Sequence, residues 1–320
     1  MTTALTLAAV LATATLLALG WNRTRAISRS ALVVTSLLSV VAAVAVQVNR
    51  LTEAYPTETQ AASTTSDPDG SRMLTVMVTG PASGLTLPMY VYLPAAYRSG
   101  SARFPVIEAL HGYPGTPLTW LRKLNVQSYL DHEITAGRMA PTVVLFPYQT
   151  PERLLDTECT NLRAGPRAET FLTVDVPAFA RAHYRVRPDR AAWGLTGYSA
   201  GAFCAINLVL RHPRQYAAAA SLSGYAEPGI DVGDGSQNTT NNSGWRLRHL
   251  PQPAVGLWLG WAGDDKQSAA DSRRLAAECH RPVSLTTAVV AHGGHSSAVW
   301  RQMEAPAFDW LSAHLARPLS

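Results

Sequence analysis

The stretch from Ala191 to Arg211 restricts this chain to few architectures. An apolar run, Ala191–Leu195, leads into Gly197-Tyr198-Ser199-Ala200-Gly201, and a helix-patterned run, Ala200–Arg211, follows at once. Strand, sharp turn and helix in so few residues mark a parallel α/β unit with a serine at the apex of the turn. The flanking glycines let the backbone take a strained turn, so Ser199 Oγ stands above the sheet and the Ala200 N–H faces an oxyanion. The pattern predicts a nucleophile only if a base, an acid and a second oxyanion donor follow in suitable places.

The rest of the chain is patterned to match. Leu74–Val78 and Met89–Leu93, joined by Gly80-Pro81-Ala82-Ser83-Gly84, alternate like an antiparallel hairpin. Strand Phe104–Leu110, a helix over Pro117–Ala136 and strand Thr142–Phe146 follow. A long loop then runs to Arg167, and a helix spans Glu169–Tyr184. After the elbow come strand Ala217–Leu222, a long loop Ser223–Leu250, strand Ala254–Leu259 and helix Ser268–Cys279. Strand Leu285–Val290 and helix Ser297–Leu315 close the chain. Alternating strands and helices predict a mostly parallel sheet covered on both faces, with ligands bound beyond the carboxyl ends of the strands, where Ser199 falls.

A serine hydroxyl needs a neighbouring imidazole to take its proton. His295, in His292-Gly293-Gly294-His295-Ser296-Ser297, sits between the last strand and the last helix and is the predicted base. Folds of this kind run serine, acid, histidine in chain order. The loop after strand Ala254–Leu259 carries Gly263-Asp264-Asp265, and Asp265 is the predicted acid, with Asp264 as the alternative. Taken singly, Asp265 is also a helix N-cap acid and His295 a polar loop residue. His292 is a spare base. Strand Phe104–Leu110 ends in His111-Gly112-Tyr113-Pro114-Gly115, which places the Tyr113 N–H as the second oxyanion donor beside that of Ala200, with His111 bracing the loop. A metal centre on His292 and His295 lacks a third ligand nearby, and no cofactor motif is present.

Two uncharged stretches, Thr2–Leu19 and Ala31–Val48, flank three arginines within Trp21–Ser30. Each is about 18 residues, long enough to cross roughly 27 Å as a helix. The arginines put the short loop in the cytoplasm and both termini outside. The alternative reads Arg23–Arg29 and Ala31–Val48 as a cleaved signal peptide. Both readings place the folded domain outside the cell membrane. The chain thus divides into membrane segments over 1–50, a Thr/Ser/Pro-rich tether over 51–71 and a catalytic domain over 72–320. Of three cysteines, Cys159 and Cys204 form the predicted disulfide, tying the loop after a strand to the elbow helix; three free thiols are the alternative. The net charge of +5 is dispersed, and no basic cluster with interleaved aromatics suggests a nucleic-acid partner.

From about Leu74 to Leu315 the chain resembles the esterase D/antigen-85 group of α/β-hydrolases, particularly its membrane-linked actinobacterial members. The likeness is carried by His111–Gly115 with Trp120, by Asp156-Thr157-Glu158-Cys159 and by Asp175-Val176-Pro177. Gly197–Gly201 with Cys204, Arg211-His212-Pro213, and His295 with Trp300 complete it. The resemblance implies an α/β-hydrolase fold and a triad on Ser199, Asp265 and His295. It also implies either hydrolysis of an acyl ester or transfer of its acyl group to a sugar or lipid alcohol. The mycolyltransferases of the group carry an acidic residue where His111 stands and lack paired membrane segments, so trehalose is not implied as the acceptor. Relatives without the serine suggest a third role, a non-catalytic cell-envelope binding module, against which the intact Ser199 and His295 count.

Overall fold

In the computed structural model the residues described are 26–52 and 70–320, together with positions 12, 14 and 15. The chain divides into two compact units, Met1–Tyr55 and Pro56–Ser320. The first contains helix α1 (Ala26–Thr52). The predicted span Thr2–Leu19 lies almost wholly outside the described residues, as does most of the predicted tether. The predicted span Ala31–Val48 falls within α1. Among the described residues no helix is long and apolar enough to cross a membrane, so the paired spans rest on the sequence.

The second unit is built on one eight-stranded sheet in the order β1-β2-β4-β3-β5-β6-β7-β8. β1 (Arg72–Thr79) and β2 (Thr86–Leu93) form the predicted hairpin, and β2 runs antiparallel to β4 (Val143–Pro147). The remaining pairings, through β3 (Val106–Leu110), β5 (Trp193–Tyr198), β6 (Ala218–Leu222), β7 (Gly256–Ala262) and β8 (Ser284–Val290), are all parallel. Every residue of β3, β4, β5, β6 and β7 is buried, as strands covered on both faces require. The two faces carry separate cores. One includes Leu195 of β5 with Phe203 and Leu208 of the elbow helix; the other centres on Trp120, Phe146, Phe308 and Leu311.

Three local expectations need correction. The predicted helix Pro117–Ala136 is two helices, α2 (Leu118–Arg122) and α3 (Val126–Thr135). The chain breaks at Asn125, whose φ of 56° is a left-handed conformation that asparagine tolerates better than most residues. The predicted loop Ser223–Leu250 contains a helix, α6 (Ser243–His249), capped by Asn242, whose Oδ1 accepts the Trp245 N–H at 2.8 Å. The predicted strand Ala191–Leu195 starts two residues late, because Arg190–Ala192 form a single tight turn.

Helix α4 (Val176–His183) is preceded by a short helical turn, Ala168–Thr170, and a wider one over Phe171–Asp175. That wide turn aims Asp175 at the β1–β2 hairpin, where its carboxylate accepts the N–H groups of Ala82 and Ser83 at 3.0 and 2.9 Å. Gly80 leaves room for it, since a Cβ there would lie 2.4 Å from Asp175 Oδ2. Helices α5 (Ala200–Arg211), α7 (Lys266–Glu278) and α8 (Ser297–His314) complete the layers.

Candidate active site

β5 pairs with β3 and β6, and its carboxyl end delivers Ser199 with φ 55° and ψ −122°. This is a left-handed backbone on a residue with a side chain, and it costs energy that the surroundings must offset. The Ser199 N–H is held by the Leu222 carbonyl at 3.0 Å, while the Ser199 carbonyl accepts the first turn of α5. The flanking glycines act differently from expectation. Neither takes a positive φ. They are required by close approach instead: a Cβ on Gly197 would lie 2.1 Å from the Gly201 carbonyl oxygen, and one on Gly201 would lie 2.3 Å from that of Leu110. The strain falls on the serine and the closeness on the glycines.

His295 reaches this serine from the loop between β8 and α8. Its Nε2 lies 2.8 Å from Ser199 Oγ and its Nδ1 lies 2.7 Å from Asp265 Oδ2. Asp265 is buried, and its other oxygen caps α7 by accepting the Ser268 N–H at 3.4 Å. Asp265 thus meets His295 with one oxygen and the first turn of α7 with the other. Asp264 points elsewhere. Its two oxygens accept the N–H groups of Gly294 and Gly293 at 2.9 and 3.1 Å, which hold its carboxyl below the usual carboxylate range. It fixes the loop that carries His295 without touching the imidazole. His292, 88% exposed, meets only Asp264, at 3.9 Å.

Trp300 supports the histidine from behind. Its ring meets the His295 ring edge-on at 5.2 Å and stacks on Tyr198 at 4.6 Å. Tyr198 in turn meets Trp120 at 5.2 Å, and the Trp120 indole N–H donates to the Leu110 carbonyl at 3.1 Å. One aromatic column thus links the histidine loop, the elbow and the end of β3.

The loop His111–Gly115 lies against the elbow. Gly112 permits this, because a Cβ there would meet Tyr198 at 2.8 Å and Ser199 Cβ at 3.1 Å. Ala200 is the first residue of α5, so its N–H has no acceptor within the helix. The Tyr113 hydroxyl donates to the Leu154 carbonyl at 2.8 Å, bringing the 148–160 loop to the mouth of the site. His111 is buried, with Nδ1 2.9 Å from the Gly112 carbonyl. Burial pushes its imidazole down to about 4, despite that contact, so it is neutral at physiological pH. Gln149 does the bracing: its side-chain amide accepts the His111 N–H and donates to the His111 carbonyl. No motif marked Gln149 in the sequence, since a glutamine after a strand carries no spacing signal.

The predicted disulfide Cys159–Cys204 is present, with Cα atoms 5.6 Å apart. It fastens the 148–160 loop to the elbow helix one turn beyond Ser199. Beside it the buried Glu158 accepts the Tyr225 hydroxyl, and Tyr225 stacks on Phe203 at 5.5 Å. Burial raises the Glu158 carboxyl, and neighbouring Asp156 raises it further.

With this geometry in hand, the family model described as "Esterase: Putative esterase" matches residues 82–317. The chain belongs to this esterase family. A curated relative, an uncharacterized protein of Corynebacterium glutamicum, is 25% identical over 245 residues, which cover 70% of this chain. They cover 56% of that protein, so the chain spans little more than half of its length. Among solved structures, an S-formylglutathione hydrolase from Agrobacterium tumefaciens superposes with a TM-score of 0.66 at 14% identity, over 80% of this chain and 99% of that one. MPT51 (FbpC1) of Mycobacterium tuberculosis does so with a TM-score of 0.59 at 17% identity, over 76% and 99%. These likenesses establish an α/β-hydrolase fold.

Proposed function

We propose that this esterase-family chain is a serine esterase that cleaves carboxylic esters through an acyl-enzyme on Ser199. The observation that carries this reading is the unbroken run from Asp265 Oδ2 through both His295 nitrogens to Ser199 Oγ, at 2.7 and 2.8 Å. In this reading Ser199 Oγ attacks the ester carbonyl as His295 Nε2 takes its proton, and Asp265 stabilises the imidazolium and fixes its tautomer. The alkoxide forms against the N–H groups of Ala200 and Tyr113. The proton on Nε2 passes to the departing alcohol, leaving Ser199 acylated. A water, deprotonated by His295, then releases the acid and restores the serine.

An alcohol entering in place of that water would make the same site a transferase, and the deacylation step alone separates the two. Ser199→Ala should lower hydrolysis of short p-nitrophenyl esters by about a thousandfold or more with the fold intact. Retained activity would refute the reading. Labelling of Ser199 by a fluorophosphonate, followed by competition of sugar and lipid alcohols with water for the acyl group, distinguishes hydrolase, transferase and inert module.

The uncharged lengths Thr2–Leu19 and Ala31–Val48, with arginines between them, support a domain held at the outer face of the cell membrane. Protease added to intact cells should then release the domain by cutting within residues 51–71. Complete protection would overturn that placement.

A further inference from the structure

A cavity lies at the other end of the sheet from Ser199. It has a volume of about 520 Å³ and is formed where Arg190 enters β5 and where α5 turns into β6. β5 is six residues long, so about 20 Å of strand separates this cavity from the serine. Arg181, Arg190, Arg211 and Arg214 line it, with His212 beside them, and no lining residue is acidic.

The four guanidinium groups are not equally engaged. Arg190 donates to the carbonyls of Pro213 and Ala254, and Arg211 is paired in bidentate fashion with the Glu169 carboxylate. His212 Nε2 also meets Glu169, at 2.7 Å, so that single carboxylate is shared between two cavity residues. Arg181 sits over the Trp193 ring, its Cζ 4.6 Å from the ring centroid, and has no hydrogen-bond acceptor among the described residues. A guanidinium held over an aromatic face keeps its N–H groups available to an acceptor. Arg214 is exposed and has neither acceptor nor ion pair among the described residues. The buried carboxyl within the field of Arg181, that of Glu108, is pushed up by burial to about 8 and keeps its proton at neutral pH, so it leaves that charge uncompensated.

Two unclaimed guanidinium forks in a cavity with a fourfold arginine lining call for a multiply charged oxyanion. Guanidinium geometry matches paired phosphate oxygens, and a dianion offsets more of the mutual repulsion than a carboxylate can. The volume exceeds that of a bare phosphate and falls in the range of small-molecule sites. We propose that this cavity binds the phosphate group of a small phosphorylated molecule, with Arg181 and Arg214 as its principal donors.

Isothermal titration of the full chain in nonionic detergent, at low ionic strength, tests this with three probes and a control. The probes are glucose 6-phosphate, inorganic pyrophosphate and the short-chain lipid dihexanoylphosphatidylglycerol, with glucose as the control. Binding of glucose 6-phosphate or pyrophosphate but not glucose, weakened by salt, is expected. The double variant Arg181→Gln/Arg214→Gln should weaken it by about tenfold or more while p-nitrophenyl ester hydrolysis stays at the parent rate. Binding of the lipid alone would uphold the phosphate site and assign its source to a headgroup. Should the double variant fail to fold, Arg214→Glu, a surface change, must still weaken binding. The proposal is overturned if no phosphate probe binds, or if neither variant alters the affinity.

Discussion

Asp264 and Asp265 are neighbours with different partners, and exchanging each in turn should separate their roles. Asparagine at 265 still accepts the Ser268 N–H and so keeps the cap of α7. What it removes is the negative charge beside the His295 Nδ1–H, 2.7 Å away. With charge centres about 4 Å apart and an effective dielectric of about 20, the imidazolium formed during attack loses about 4 kcal/mol of stabilisation. His295 is 41% exposed, so solvent screens part of this and about 3 kcal/mol is the better figure. The amide can also present its N–H to Nδ1 and favour the wrong tautomer, which restores the total to roughly a thousandfold in kcat/KM. Asp264→Ala releases the Gly293 and Gly294 N–H groups and loosens the histidine loop without changing the charge at the imidazole. Its loss should stay within about tenfold. Hydrolysis of p-nitrophenyl butyrate by the two variants, with their thermal unfolding as a check on folding, measures both. The reasoning is refuted if Asp265→Asn stays within tenfold of the parent, or if Asp264→Ala is the slower of the two.

Removing the Cys159–Cys204 bridge by double alanine substitution opens a loop of 45 residues and should cost about 4 kcal/mol of stability; an unchanged urea midpoint would contradict this. Glu108 has a folded-state carboxyl raised by burial to about 8, opposed in part by the Tyr216 hydroxyl and Arg181. Between an unfolded value near 4.5 and that folded value, the native state holds a proton that the unfolded state has released, so stability falls as pH rises, by about 1.4 kcal/mol per unit. Glu108→Gln keeps an acceptor for Tyr216 and should flatten that slope in denaturation curves taken from pH 5 to pH 8; an identical slope would remove Glu108 as its source. Gly201→Ala would drive a Cβ to 2.3 Å from the Leu110 carbonyl and should destabilise by more than about 2 kcal/mol with loss of turnover, as thermal unfolding and ester hydrolysis would register.

What the sequence made legible was whatever is written in local pattern. The core strands are short apolar runs bounded by turn residues, and each was placed to within a few positions because both faces are buried. That Ser199, His295 and Asp265 meet in space was legible because this fold brings strand ends together in a fixed chain order. Pairing decided by one side chain was not legible. The break at Asn125 needs only one left-handed residue inside an apolar periodic stretch, and α6 needed the Asn242 cap to be preferred over many other polar residues in the 223–250 loop. Gln149 and Asp264 act through backbone N–H and C=O groups of distant loops, contacts that leave no spacing in the chain.

The glycines of the elbow carry a further consequence. Gly197 admits the Gly201 carbonyl, Gly201 admits the end of β3, and Gly112 on the loop beyond β3 admits the Tyr198 ring. Each of these approaches is closer than any Cβ would allow, so β5, the first turn of α5 and the His111–Gly115 loop interlock as one unit. The Ala200 N–H and the Tyr113 loop are therefore positioned relative to Ser199 by backbone contact, while His295 is positioned by side chains, Trp300 on one side and Asp265 on the other. Substitutions in the first group should remove oxyanion stabilisation and folding together. Those in the second should slow proton transfer in a folded protein. A site divided in this way can change its base-orienting partners more readily than its elbow, and of the predicted residues the acid was the one whose neighbour competed for the role.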